Sequence, residues 1–379
     1  MSLSEIPPFS SQATDFISST TVNLHHQLSK RNLYGFELNR AGNIIFLGLF
    51  TFIAVFNIIM VFRSKQVWYS VCFILGFVLE ALGYLGRVLG FTNNSSMPFY
   101  ILQSLCLTIA PAFIMAGIYF LFAQNVAVHG RKYSLLKPMW YSYFFIGTDV
   151  LSIFVQGAGG GMTSTASSNG KSTSLGNTIM FVGILIQIVA ITFFLLFWFI
   201  FLGRTFFHDR HAVPGDNQYK KKSIGNYFKL LVNIPSARSY KLIQLDPFYN
   251  PQYQNIRYRA LYSYYPLAVS LAVVLVYIRC VYRVVELKQG YSGYLMSHEI
   301  YLFVFDSLLI AETGLIFIPF HPMFVFGRDN VLTSKDIKNG VIPVTQEFIR
   351  CPEEEALDKE KDFSYAAQKR EAFEARSQL

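Results

Sequence analysis

Charged side chains are scarce in this chain. Asp, Glu, Lys and Arg supply 15% of its 379 residues, against about 25% in a soluble domain. With 53% hydrophobic and 17% aromatic residues and a mean hydropathy of +0.36, the shortage excludes an ordinary soluble domain and indicates a polytopic membrane protein. Cysteine is sparser still. Cys72, Cys106, Cys280 and Cys351 form no CxxC pair, and the first two fall inside apolar stretches, so neither a disulfide framework nor a zinc knuckle is expected. Residues 1–40 lack the apolar core of a secretory leader. No cleavable signal peptide is expected, and the first span should act as the signal-anchor. The net charge of +9 is no sign of nucleic-acid binding, because the basic residues lie beside apolar spans. Orientation and the anionic inner leaflet account for them there.

Catalytic signatures are also missing. Asn169-Gly170-Lys171-Ser172 echoes the end of a phosphate loop, but the required glycine is replaced by Thr165. There is no H-E-x-x-H and no G-x-S-x-G. Of the seven histidines, only His298 and His321 lie near spans, at opposite ends of the last one, which excludes the clustered ligands of a membrane zinc hydrolase. The chain is expected not to be an enzyme and to hold no cofactor and no metal. The marks of a G-protein-coupled receptor are absent as well. The third span ends in Gln124-Asn125-Val126, the seventh ends in Ile318-Pro-Phe-His-Pro322, and no cysteine is placed to tie the third span to the fourth loop.

What is present is a set of apolar runs of about 20 residues, the length a membrane crossing needs. Seven are expected, near 41–62, 68–90, 99–124, 139–161, 177–203, 260–280 and 300–322, forming an all-α, seven-transmembrane-helix bundle over 41–325. The fourth is weakened by Asp149 and Gly159-Gly160-Gly161. The first loop carries Arg63 and Lys65, the third Arg131, Lys132 and Lys137, and the fifth, 204–259, is long and strongly basic. The second loop has no Lys or Arg, and the fourth has only Lys171. The positive-inside rule then predicts an extracellular N-terminal tail over 1–40 and a cytoplasmic C-terminal tail over 326–379. Arg279, Arg283 and Lys288 are a mild exception on the outer side. Asn93-Asn94-Ser95-Ser96 holds two overlapping sequons, so Asn93 and Asn94 are glycosylation candidates in an external loop. Within the basic loop, Tyr227-Phe-Lys-Leu-Leu-Val reads either as an interfacial helix on the inner leaflet or as a solvated loop. The tail, with Glu353-Glu354-Glu355, reads as soluble or disordered.

The spans carry polar stripes. Gly76, Glu80, Gly83, Arg87 and Gly90 follow one another at steps of four, three, four and three, so they share one helix face. A charge at the bilayer centre costs about 2.5–3.5 kcal/mol and faces a bundle interior or a wet cavity, while glycines on the same stripe admit a neighbouring helix. Glu80 and Arg87 stand about 10.5 Å apart along the axis and need not pair. Asp149 is an alternative partner for Arg87. In the fourth span Ser142, Asp149, Ser152, Gln156 and Gly159 share a face, and in the fifth Gly176, Gly183, Gln187 and Ala190 do. The third carries Gln103, Thr108 and Pro111, whose ring frees carbonyls that neighbours or water must satisfy. Arg279, Arg283 and Glu286 lie on one face, and Glu299 and Asp306 on another. Interhelical hydrogen bonds worth about 0.6 kcal/mol each explain Ser142, Ser152, Thr108 and Gln103. Charges cost more than that returns, so Glu80, Arg87 and Asp149 are read as functional.

These pieces, in this order and spacing, resemble the fungal lipid-translocating exporters, the RTA-like seven-span family. The matching residues are Glu80-x-x-Gly83-Tyr84-x-x-Arg87, Leu107-x-x-Ala110-Pro111 with Tyr119, Asp149-x-x-Ser152-x-x-x-Gln156 and Gly183-x-x-x-Gln187. Later come Arg279-x-x-x-Arg283-x-x-Glu286, Gly293-Tyr294, His298-Glu299, Tyr301, Asp306 and His321-Pro322. Cys106-Leu-Thr-Ile-Ala-Pro111, Gly117-Ile-Tyr119 and the basic fifth loop are most similar to the members that move sphingoid long-chain bases. The resemblance implies a multi-pass plasma-membrane protein that moves such bases or related amphiphiles outward and gives resistance to them; other members are linked to porphyrin and haem movement. Its partners would be membrane lipids and sphingoid bases, with no nucleic acid; a homo-oligomer is left open.

A sphingoid base has an ammonium headgroup and one long tail, so its passage needs a polar path with a carboxylate. The candidates along that path are Glu80, Arg87, Asp149, Gln156, Gln187, Tyr84, Glu299 and Asp306, with Gly76, Gly83, Gly90 and Pro111 as helix-packing positions. Translocation without ATP, driven by gradients or protons with Glu80 as a protonation site, is the expected mechanism. The alternative is a receptor-like sensor that regulates lipid asymmetry or stress response without itself moving lipid.

Overall fold

The computed structural model describes residues 38–64, 66–91, 97–213, 217–289 and 293–328. The sequons at Asn93 and Asn94, most of the N-terminal tail and the acidic C-terminal tail lie outside them. Among the described residues every regular element is helical. The long ones are α1 (Arg40–Arg63), α2 (Val67–Leu89), α3 (Met97–His129), α4 (Pro138–Ser168) and α5 (Ser174–Phe207). A shorter α6 (Ile224–Val232) follows in the fifth loop, then α7 (Ala260–Gln289). The last run is a helical turn, Glu299–Leu302, a π-helical stretch, Phe303–Leu308, and α8 (Leu309–Ile316).

Five helices, α1, α2, α3, α5 and α7, are long and apolar enough to cross a membrane. The α4 segment is long as well, but Asp149, Gln156 and the triple glycine dilute its apolar run. The outer surface is apolar, with Phe62, Trp140 and Phe154 turned outward, as a lipid-facing wall requires. The chain is an integral membrane helical bundle.

Local sequence explains the helix ends. Asn39 caps α1 by accepting from the Gly42 amide at 3.1 Å, and Arg63 lies in the last turn, where positive charge is favoured by the helix dipole. Proline at position 138 opens α4, where its missing N–H costs nothing. Of the five candidate spans, α3 is the most enclosed, with 72% of its apolar window buried against 28% for α1. It packs against both α2 and α4, α5 packs on α4, and α7 joins α5 to α8. Two helices meet closely at Gly159, where a Cβ would lie 2.5 Å from the Met180 nitrogen and 2.7 Å from the Gly176 carbonyl oxygen. Only glycine admits that approach of α4 to α5.

The fifth loop is folded onto the helix ends. Arg257 Nε meets Asp246 Oδ1 at 2.5 Å, and its Nη1 donates to the carbonyls of Val128 at 2.9 Å and Asn250 at 2.6 Å. One guanidinium thus closes the C-terminal end of α3 and the loop together. The α6 helix turns Leu230 and Leu231 inward and leaves Ile224, Phe228 and Val232 exposed.

Lys241 anchors α6 from below, donating to the Leu230 carbonyl at 3.0 Å with its amine 5.7 Å from the Phe206 ring centre. Burial first, and then the charge of Arg238, lower its amine to about 7. The unfolded lysine keeps its proton to about pH 10.4. Between those values the unfolded chain binds more protons, so stability rises with pH above about 7 and is lowest and flat below it. Lys241→Met should therefore raise the melting temperature most at about pH 6 and flatten its rise between about pH 7 and pH 9. An unchanged pH profile would show that Lys241 keeps its charge in the folded loop.

Candidate functional site

The charged residues of the bundle converge between α2, α3, α7 and the last helical run. At one end Arg87 is held by three elements. Its Nε donates to Asn43 Oδ1 at 2.6 Å, its Nη1 to Gln103 Oε1 at 3.2 Å, and its Nη2 pairs with Glu299. Glu299 in turn accepts from the Asn39 amide and from Asn43 Nδ2, both at 2.7 Å. Its carboxylate therefore sits on the N-terminus of α1, where the free amides favour negative charge.

One step away is Asp306. Arg283 grips it with Nε at 2.8 Å from Oδ1 and Nη2 at 2.9 Å from Oδ2, the two-point geometry that favours guanidinium over ammonium. Arg279 Nε lies 2.8 Å from the same Oδ1. Arg283 also donates to Glu286 at 2.9 Å, and Tyr282 closes that carboxylate at 3.1 Å. All these groups belong to α7 or the last helix. Arg279 and Arg283 are thus paired residues within a helix that continues to Gln289, beyond the expected span end at 280. They are not free loop charges, whereas Lys288, the third of the outer-side exceptions, lies exposed near the end of the same helix.

Arg279 solves a second problem. Pro111 has no amide to offer the carbonyl four residues earlier, that of Leu107. Arg279 Nη2 donates to that carbonyl. The proline in α3 and the arginine in α7 are therefore complementary, and the pairing ties the two helices.

Glu80 is different. It is fully buried, its Oε1 stands 3.9 Å from Arg279 Nη2, and neither carboxylate oxygen accepts a hydrogen bond. It faces a guanidinium already engaged by Asp306 and Leu107. Three arginines in this cluster, Arg87, Arg279 and Arg283, meet four carboxylates, Glu80, Glu286, Glu299 and Asp306. Glu80 is the one left over.

The other sequence candidates fall in two places. Tyr84 bonds to Ser307 and packs against Phe46 and Phe50, each at 5.5 Å, so it joins α2 to the π-helical stretch. Gly76 and Gly83 face α3, Gly76 against Ile114 and Gly83 against Leu107, and Gly90 follows at the α2 C-cap. Asp149 does not reach Arg87. It accepts from Tyr119 at 3.0 Å and leaves Oδ1 without a partner, because α3 lies between α2 and α4. Gln156 donates to Ser152 at 2.6 Å and to Gln187 at 3.2 Å, forming a second polar patch between α4 and α5.

Asn43 was missed in reading the chain. It is fully buried and bridges Arg87 to Glu299. Its signal was visible as a polar side chain one turn inside an apolar span. Among the described residues no group of three His, Cys, Asp or Glu is placed to hold a metal, and Cys72, Cys106 and Cys280 are buried free thiols.

Comparison with known proteins closes the assignment. The chain is 30% identical over 368 residues to the sphingoid long-chain base transporter RSB1 of Saccharomyces cerevisiae, covering 95% of this chain and 93% of that protein. It is 28% identical over 246 residues to protoporphyrin uptake protein 1 of the same yeast, covering 65% and 66%. It is 27% identical over 244 residues to the yeast protein RTM1, covering 64% of each chain. No solved structure matches it. The family model described as RTA1 like protein matches residues 73–329, which contain every charged residue of the buried cluster, and the chain belongs to that family.

Proposed function

We propose that this chain is a seven-span transporter of the plasma membrane, N-terminus outside and C-terminus cytoplasmic, that carries sphingoid long-chain bases or similar amphiphiles from the cytoplasmic to the external side without ATP and so gives resistance to them. The observation that carries the reading is Glu80, a buried carboxylate in excess of its arginines and with no hydrogen-bond donor. An isolated buried charge is costly, and a cation that pairs with it relieves that cost. A sphingoid base brings one ammonium with three N–H donors, matching the one carboxylate left over. Glu80 lies about 20 Å along α2 from Val67, well inside the hydrocarbon layer. A headgroup would reach it by parting α2 from α3 at the Gly83–Leu107 contact, leaving the tail in lipid. The yeast relative named for sphingoid base transport supports the substrate class, and the basic odd-numbered loops support the orientation.

The test is transbilayer movement of a fluorescent sphingoid base in liposomes holding the purified protein. Movement above protein-free liposomes is expected. Its absence from well-folded protein would overturn transport and favour the sensor reading, in which resistance changes in cells without movement by the protein itself.

A further inference from the structure

A second feature lies away from the buried charges, where the end of α5 meets the start of α6. The two helices enclose an open groove of about 900 Å³, within the range of small-molecule sites. Its wall on α5 is apolar, made by Leu196, Phe199 and Ile200, and its rim is basic, made by Arg204, Arg210 and Lys222. Eight residues separate Leu196 from Arg204, about 12 Å of helix, so the apolar and basic parts are separated along the helix axis. No described lining residue is acidic. Asp209, in the turn beside the groove, is taken by Lys132 at 2.9 Å and by Tyr133. Arg204 and Lys222 are exposed, and their side chains make no hydrogen bond or ion pair among the described residues.

We propose that this groove binds an anionic phospholipid of the leaflet beside the fifth loop, phosphate on the Arg204–Lys222 rim and acyl chain along Leu196, Phe199 and Ile200. The occupant follows from charge and polarity together. Cations with no acid to meet select a phosphate, and the apolar wall beneath them selects one that carries a tail. Each basic side chain near such a surface strengthens binding, and the effect is screened by salt. An occupied groove would pin the exposed apolar face of α6 to the bilayer. The site is separate from Glu80 and stands whether or not the chain moves sphingoid bases.

The experiment uses the full-length protein in non-ionic detergent and follows its melting temperature during titration with dioctanoyl phosphatidic acid, dioctanoyl phosphatidylcholine or inorganic phosphate. A ligand that binds only the folded state raises that temperature saturably. A saturable rise is expected with phosphatidic acid alone. Arg204→Gln with Lys222→Gln should raise the half-saturating concentration by about tenfold or more, leave the lipid-free melting temperature unchanged, and flatten the salt dependence of the response. Lys222→Gln alone, at an exposed loop position, should shift it the same way by less, and Phe199→Asn should weaken the response through the apolar wall. An equal response to inorganic phosphate would mean a free-anion site and overturn the lipid assignment. An equal response to phosphatidylcholine, or none of these shifts in the variants, would overturn the charge-based one.

Discussion

Asp306→Ala should lower the unfolding free energy by about 3–5 kcal/mol, the cost of stranding buried charge, making it the most damaging single substitution in the cluster. Arg283 spends two donors on this carboxylate, and Arg279 leans on the same oxygen. Removing it leaves two guanidinium groups facing each other in a buried site, with only Glu286, Glu80 and one backbone carbonyl to share between them. Glu299→Gln should cost less, because Arg87 keeps Asn43 and Gln103 and the neutral amide can still accept. Thermal unfolding of the detergent-purified variants, with protein yield beside it, measures the order. If Asp306→Ala melts like the parent, the arginines have found other partners and the cluster is not what holds α7 to the last helix.

Glu80→Gln should do the reverse, abolishing lipid movement while leaving the fold intact. The parent carboxylate accepts no hydrogen bond, so the amide breaks none, and it removes a buried charge with only one partner at 3.9 Å. What is lost is the anion that an ammonium headgroup would meet. Truncating one side of a desolvated charge pair costs about 2–5 kcal/mol, which is at least about 30-fold in binding. Sphingoid base flux in liposomes should fall by that factor or more, with melting temperature equal to or above the parent. If both flux and protein level are unchanged, Glu80 is not the headgroup site. Read together, the two substitutions separate structural from functional carboxylates within one network: Asp306 should matter to folding and Glu80 to flux.

Much of the molecule was legible before any coordinates. The shortage of charge and the apolar runs indicate a membrane bundle because lipid tolerates little else, and the polar stripes stand out because each charged residue is so costly there. The Glu80–Arg87 stripe on α2 does lie buried. Helix periodicity assigns a residue to a face, however, and says nothing of which helix that face will meet. Asp149 was a reasonable partner for Arg87 by charge, yet α3 stands between them, and Glu299, more than two hundred residues away in the chain, takes the place. The π-helical stretch at Phe303–Leu308 changes the register between Glu299 and Asp306, so their seven-residue spacing could not show that they serve different arginines.

The fifth loop shows the same division. Its basic character and the amphipathic start of α6 are properties of composition, and the chain alone states them. That Arg257 closes the end of α3, that Lys241 is covered by Phe206, and that Arg204 and Lys222 border one groove depend on contacts between distant segments. By itself the sequence determined the solvent this protein folds in, its helical character and the identities of the costly residues, because those follow from transfer free energies and periodicity along one chain; its family was legible too, but through the order of its motifs. Only the tertiary structure decided which charges neutralise each other and which carboxylate is left without a hydrogen-bond donor, because desolvated electrostatics act over a few ångströms and depend on helix order and register.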